Sequence, residues 1–434
     1  MDYVHVISSF SKDDRLEKAI CNVPENFLYS LIGGLSQRNF ALETISKYAL
    51  KVKKYNESFL NGKMKYADSG GYSIIKGDVF PKDINRFIEC YNFFYEYAAD
   101  YYDYIFSLDI PFSLKHTEMN KKQLIYEFNK EALRQQLEII EKIPQLTDRL
   151  YFVWQFKMRS LYEIWKQIVV ELNLNKYIRN RAIGGMVSLR KQTNINYSPF
   201  TMMAFKCFHD YLNAGYYNDG FKLHFLGINL PYDRFHIAFL EKLFQRLGYG
   251  HEIYHTYDSI SYAQRVRKSK NLNIYDLKED QNLKCYENIE EVPEYLIEKV
   301  YSELETIEFI KEEIERRKKG YFLENINSFV ALNIYSNLCL DRFFEHIINE
   351  YNMVDTLIGA NSTAVVEGNF RLINDDLKMR YPVLFGKEML INIIENMEYT
   401  WTYCDWFLND RSDERLDYHA RRLIECIGCD DLLI

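Results

Sequence analysis

Eight short runs rich in β-branched and aromatic residues occur before residue 260, and most of them give way to a longer stretch patterned as a helix. The runs are "YVHVISSF", "NFLYSLIGG", "KMKYADSG", "YIFSLDIP", "LYFVWQF", "RAIGGM", "KLHFLGI" and "HEIYHTYDS". Between most of them lie segments such as "RFIECYNFFYEYAADY" and "FHIAFLEKLFQRLG", whose apolar residues recur three and four apart. Strand and helix in alternation predict parallel strands joined by helical crossovers, and eight such units fill the roughly 250 residues usual for a (β/α)8 TIM barrel.

Beyond Asp258 the texture changes. "EEVPEYLIEKVYSELETIEFIKEEIERRKKG" carries Leu296, Val300, Leu304, Ile307 and Ile314 at helical spacing, with Pro293 near its start and Gly320 at its end. The spacing predicts one long amphipathic helix, closed by the basic group 316–319 where cations suit the helix dipole. The remainder reads as mainly helical, with breaks at "GANST" and "RYPVLFGKE". The expected organisation is an α/β barrel domain over 1–275 and a helical C-terminal region over 276–434, the boundary being drawn from texture alone.

Composition narrows the function classes. With 47% hydrophobic residues in 434, a large core can form. No apolar run is long enough to span a bilayer, and "MDYVHVISSF" lacks the basic and cleavage features of a signal peptide, so a cytoplasmic location and no membrane partner are expected. Eight thinly scattered cysteines suggest reduced thiols. The net charge of −8 argues against coating nucleic acid through bulk charge and leaves room for a local basic groove such as "QRVRKSK" at 264–270.

The polar residues fall where such a barrel would need them. Asp68, Asp109, Gln155, Gly184 with Gly185, Gly227 and Asp258 each end a different expected strand, and in a barrel those ends meet at one face, where active sites are built. Taken singly each is an ordinary cap or turn residue; together they predict three carboxylates and an amide in one site. Carboxylates without a His/Cys cluster suit acid–base or covalent glycosyl chemistry. Gly70, Gly71, Gly184 and Gly185 would admit the edge of a flat ring close to the backbone, and Tyr72 and Met186 could stack on its face, so a planar heterocycle fits better than a sugar.

In order and spacing, "DSGGY", "SLDIP", "WQF", "IGGM", "FLGINLP" and "TYDSIS" resemble the tRNA-guanine transglycosylase superfamily, which exchanges guanine for a 7-deazaguanine. The resemblance covers roughly residues 60–260. It implies a TIM barrel in which Asp258 is the nucleophile at C1′ and Asp68 the acid–base group. Ser69, Gly70, Gly71, Tyr72, Asp109, Gln155, Gly184, Gly185, Met186 and Gly227 would then bind the exchanged base. No cofactor is implied.

The departures point to one branch. The Pro-Thr-Arg element that follows the nucleophile in tRNA-acting members is "YDSISYAQRVR" here, only Cys285 lies where their zinc-binding cysteines cluster, and Ser73 replaces a usual glutamine. The chain looks more like the DNA-modifying, DpdA-type branch. DNA, or else tRNA, containing the target guanine and a 7-deazaguanine base are the expected partners, with a homodimer or accessory modification proteins besides. The target nucleoside would have to leave its stack, and Arg265, Arg267 and Lys268 are placed to hold flanking phosphates. A catalytically silent nucleic-acid-binding subunit is the remaining alternative, disfavoured because all three motif aspartates are present. Cys404, His419, Cys426 and Cys429 offer a Cys-x-x-Cys and two further ligand types, but at irregular spacing, and "IECIGC" also reads as a helix end with two apolar thiols, so no metal is assigned. His224 and His255 read as satisfied core or barrel-lining residues without a catalytic role.

Overall fold

The computed structural model describes residues 1–7, 13–30, 42–68, 88–89, 91–93, 95–96, 100–109, 121–155, 159–184, 201–215, 220–228, 230–248, 252–259, 273–321 and 327–418. Eight strands, β1 (Asp2–Ile7), β2 (Asn26–Ser30), β3 (Met64–Asp68), β4 (Tyr104–Phe106), β5 (Leu150–Gln155), β6 (Asn180–Gly184), β7 (Phe221–Phe225) and β8 (Ile253–Ser259), pair in chain order as a closed barrel. Every pairing is parallel, and β8 closes on β1 in the register Asp2↔Thr256 to His5↔Ser259. All eight expected strands are present. β5 and β6 are buried along their whole length, the pattern of parallel strands covered on both faces, which is why "LYFVW" is apolar without alternation.

Side chains alternate across a strand, so the barrel has two apolar compartments. Val4, Leu28, Tyr66, Phe106, Tyr151, Val153 and Ala182 fill the interior. A larger cluster lies between the strands and the helices outside. Those helices include α1 (Asp14–Asn22), α2 (Leu42–Phe59), α3 (Lys121–Lys142), α4 (Arg159–Glu171), α5 (Thr201–Asn213) and α6 (Pro231–Leu247). α6 begins with proline at its first turn, where the missing N–H leaves no bond unmade.

The C-terminal region packs onto the barrel helices. Its elements are a hairpin of β9 (Ile274–Leu277) and β10 (Leu283–Tyr286), then α7 (Glu294–Val300), α8 (Leu304–Lys318), α9 (Val330–Glu350), α10 (Met353–Ile358), α11 (Thr363–Arg380) and α12 (Lys387–Asn409). α5 lies against α12, with Phe208 stacked on Phe407 at 5.3 Å, and this explains why residues 201–212 are buried on every side. α6 lies against α9 through a buried contact of Arg234 with Asp341 and Asn337.

The mainly helical C-terminal region opens with the hairpin at 274–286, an element that the sequence reading did not single out. One expectation is corrected. The single long helix is two: Tyr301 is extended (φ −108°, ψ 113°), its ring is buried, and its hydroxyl donates to the Ser328 carbonyl at 2.6 Å. Burying that ring turns the chain, so Leu304, expected on the apolar face, is 71% exposed. The expected breaks at 359–363 and 380–388 separate α10 from α11 and α11 from α12, and Arg316, Arg317 and Lys318 do form the last turn of α8. Among the described residues, no helix is long and apolar enough to cross a membrane.

Candidate active site at the barrel mouth

Alternation decides which strand-end residues face the barrel axis. Asp68 follows inward-facing Tyr66 by two positions, Gln155 follows Val153 by two, and Gly184 follows Ala182 by two. Asp258 follows Thr256 by two, and Thr256 is bonded to the ring of His224 inside the barrel. All belong to the C-terminal ends of parallel strands, so they share one end of the barrel.

Asp109, Gln155 and Gly184 form one contact group. Asp109 lies just past β4 and is 2% exposed; Gln155 Nε2 donates to its Oδ2 at 2.5 Å. Gln155 pairs in register with Gly184 and its amide lies directly over it, since a Cβ at 184 would sit 2.7 Å from both Nε2 and Oε1. Only glycine leaves room for that amide. Asp68 and Asp109 share a neighbour in fully buried Tyr91, whose hydroxyl is pushed well above its ordinary value by burial first and then by Tyr95, Asp68 and Asp109. The Tyr91 hydroxyl donates to the Phe106 carbonyl, which ties it to the end of β4.

Asp258, His224 and Gly227 form the second group. Gly227 has φ +75°, a left-handed conformation that favours glycine, and this turn aims its N–H at Asp258 Oδ1, 2.8 Å away. His224 Nε2 meets the same oxygen at 3.1 Å, and Nδ1 meets Thr256 Oγ1 at 2.9 Å. A carboxylate can only accept, so Nε2 carries the hydrogen. The imidazole is fully buried, with its centroid 4.8 Å from that of Phe106 and 6.2 Å from those of Tyr66 and Tyr151. Both bonds to Asp258 use Oδ1.

Gly227 thus bonds a carboxylate, a role that strand-end placement alone does not specify. His224, read from sequence as a lining residue, is the neighbour the sequence reasoning missed. Its signal is parity: it lies two residues before Leu226 on the inward face of β7, and its partner in register is Thr256, two before Asp258. His255, by contrast, is a core residue whose Nδ1 meets the Ile237 carbonyl at 3.2 Å and whose pKa burial lowers to about 3.

Ser69, Gly70, Gly71, Tyr72, Gly185, Met186, Arg265, Arg267 and Lys268 lie outside the described residues, as do His419, Cys426 and Cys429. Cys404 is buried in α12, and burial pushes its thiol up to about 12. Among the described residues, no group of three or more His, Cys, Asp and Glu is disposed to hold a metal ion. Compared with protein-family models and with curated proteins, the chain matches none.

Proposed function

We propose that the protein is a base-exchange transglycosylase that replaces guanine in DNA with a 7-deazaguanine through a covalent bond between Asp258 and C1′. The observation that carries this reading is Asp258 itself: one carboxylate oxygen is anchored by two donors, at the same barrel end as Asp68, Asp109 and Gln155. A carboxylate held by one oxygen can present the other to an electrophilic carbon. Asp109 and Gln155 combine carboxylate and amide groups in one contact pair, chemistry complementary to the N–H donors and carbonyl acceptor along the guanine edge. Asp68 serves as the group that protonates the departing base and deprotonates the incoming one.

The reading is tested on a denaturing gel with guanine-containing DNA and, separately, tRNA. Covalent retention of DNA, reversed by added 7-deazaguanine base, is the expected result; retention of tRNA alone would move the substrate to tRNA, and retention of neither would overturn the proposal. Because the proposed steps use carboxylates alone, exchange is expected to continue after thorough chelation. Loss of exchange that returns on adding zinc would show a required metal.

Gly184→Ala tests the base-reading pair. The added methyl meets only the end of a flexible side chain, so the fold should persist while the Gln155 amide swings away from Asp109. Guanine binding measured by calorimetry should weaken by about tenfold, the worth of one displaced hydrogen bond to a charged group. Unchanged binding would mean that the Gln155–Asp109 pair does not read the base.

A further inference from the structure

Resting on that transglycosylase reading, we propose that His224 is a positioning residue: with the Gly227 amide it holds Asp258 Oδ1 throughout the cycle, makes Oδ2 the attacking atom, and speeds breakdown of the covalent intermediate. The geometry supplies the reason. Nδ1 is bonded to Thr256 and the ring is packed by Tyr66, Phe106 and Tyr151, so residues of β3, β4, β5 and β8 hold one imidazole orientation and no water competes for Nε2.

In the first half-reaction, Oδ2 bonds to C1′ as the C1′–N9 bond breaks; the bonding pair leaves on N9, which takes a proton from Asp68. Oδ1 then becomes the carbonyl oxygen of an ester, a weaker acceptor. In the second half, N9 of the incoming base bonds to C1′ and passes its proton to Asp68. The Oδ2–C1′ bond breaks with its pair returning to the carboxylate. Negative charge spreads back onto Oδ1, where two preorganised donors wait. Donors on Oδ1 therefore make Asp258 a better leaving group, at some expense to its power as a nucleophile.

The test measures the lifetime of the isolated adduct after addition of a 7-deazaguanine base. His224→Leu removes the donor and should lengthen that lifetime by about tenfold or more, the range of a hydrogen bond to a charged acceptor, without slowing adduct formation. His224→Gln puts an amide N–H near the position of Nε2 and should stay within about threefold of the native lifetime. A native lifetime in His224→Leu overturns the inference, and so does equal slowing in both variants, which would mark a packing role. If His224→Leu fails to fold, histidine ¹⁵N–¹H spectra decide: the Nε2–H resonance of His224 should move in Asp258→Asn, and an unmoved resonance overturns the inference. Absence of any adduct in the unmodified protein would instead strike the transglycosylase reading, which separates the two failures.

Discussion

Asp258→Asn is expected to abolish the covalent protein–nucleic acid adduct and to lower base exchange by on the order of 10⁴-fold or more, the scale seen when a nucleophile is removed. The substitution keeps size and shape. An asparagine carbonyl oxygen can still accept from the Gly227 amide and from His224, so the local fold has no reason to change. What changes is the other atom: an NH2 group stands where Oδ2 was, and it can neither attack C1′ nor offset charge on an oxocarbenium-like transition state. Asp109→Asn acts differently. It keeps an acceptor for Gln155 but offers donors toward a guanine edge that is itself a donor, so it should mainly change which base is accepted. Asp68→Asn should fall between the two, slowing departure and entry of the base through lost proton transfer. Denaturing gels and nucleoside analysis of the three variants distinguish these roles. An Asp258→Asn protein that forms the adduct and turns over normally would eliminate the assigned nucleophile.

Why the barrel could be read from sequence, and part of its site could not, follows from the range of the forces involved. Each strand is announced by a local run, and each mouth residue by a polar side chain or glycine at its end; "YADSGG" and "FLGINLP" need no distant information. Parity, also local, places Asp68 and Gln155 on the inner face. His224 was harder. A histidine between Leu223 and Phe225 on a buried strand has the same local pattern whether it fills space or meets a carboxylate, and the difference lies in the register of β7 against β8. The break at Tyr301 was hidden for a similar reason: periodicity carries straight through to Leu304, and the force that turns the chain is a contact with Ser328, distant in sequence. The hairpin at 274–286 consists of two four-residue strands flanked in sequence by polar residues, too short for alternation to register.

A second large effect is expected in the fold around Asp258. Asp341 on α9 accepts from Arg234 Nε at 2.8 Å and from the Tyr257 hydroxyl at 2.5 Å, and Arg234 also donates to the Asn337 side chain at 2.6 Å. Arg234 is on α6 and Tyr257 on β8, directly before Asp258, so one buried network ties the C-terminal region to the strand that carries Asp258. Burial pushes the Asp341 carboxyl up by more than Arg234 and Tyr257 pull it down. A folded pKa above the unfolded one means that this carboxyl favours the fold most when protonated, and the contribution fades as pH rises through the folded value. The Arg234 guanidinium and the Asp341 carboxyl are therefore held together against the cost of desolvation. Removing one member is the damaging change: Asp341→Ala leaves a guanidinium buried beside a lost acceptor and should destabilise by about 3–5 kcal/mol. Replacing the network with apolar residues of similar volume, Arg234→Met with Tyr257→Phe and Asp341→Leu, should recover most of that loss. Urea unfolding at pH 7 measures both. A native midpoint for Asp341→Ala would show that the network carries no structural weight. A triple variant as unstable as Asp341→Ala would instead mean that the bonds themselves, rather than the avoidance of an unpaired charge, hold α6, α9 and β8 together.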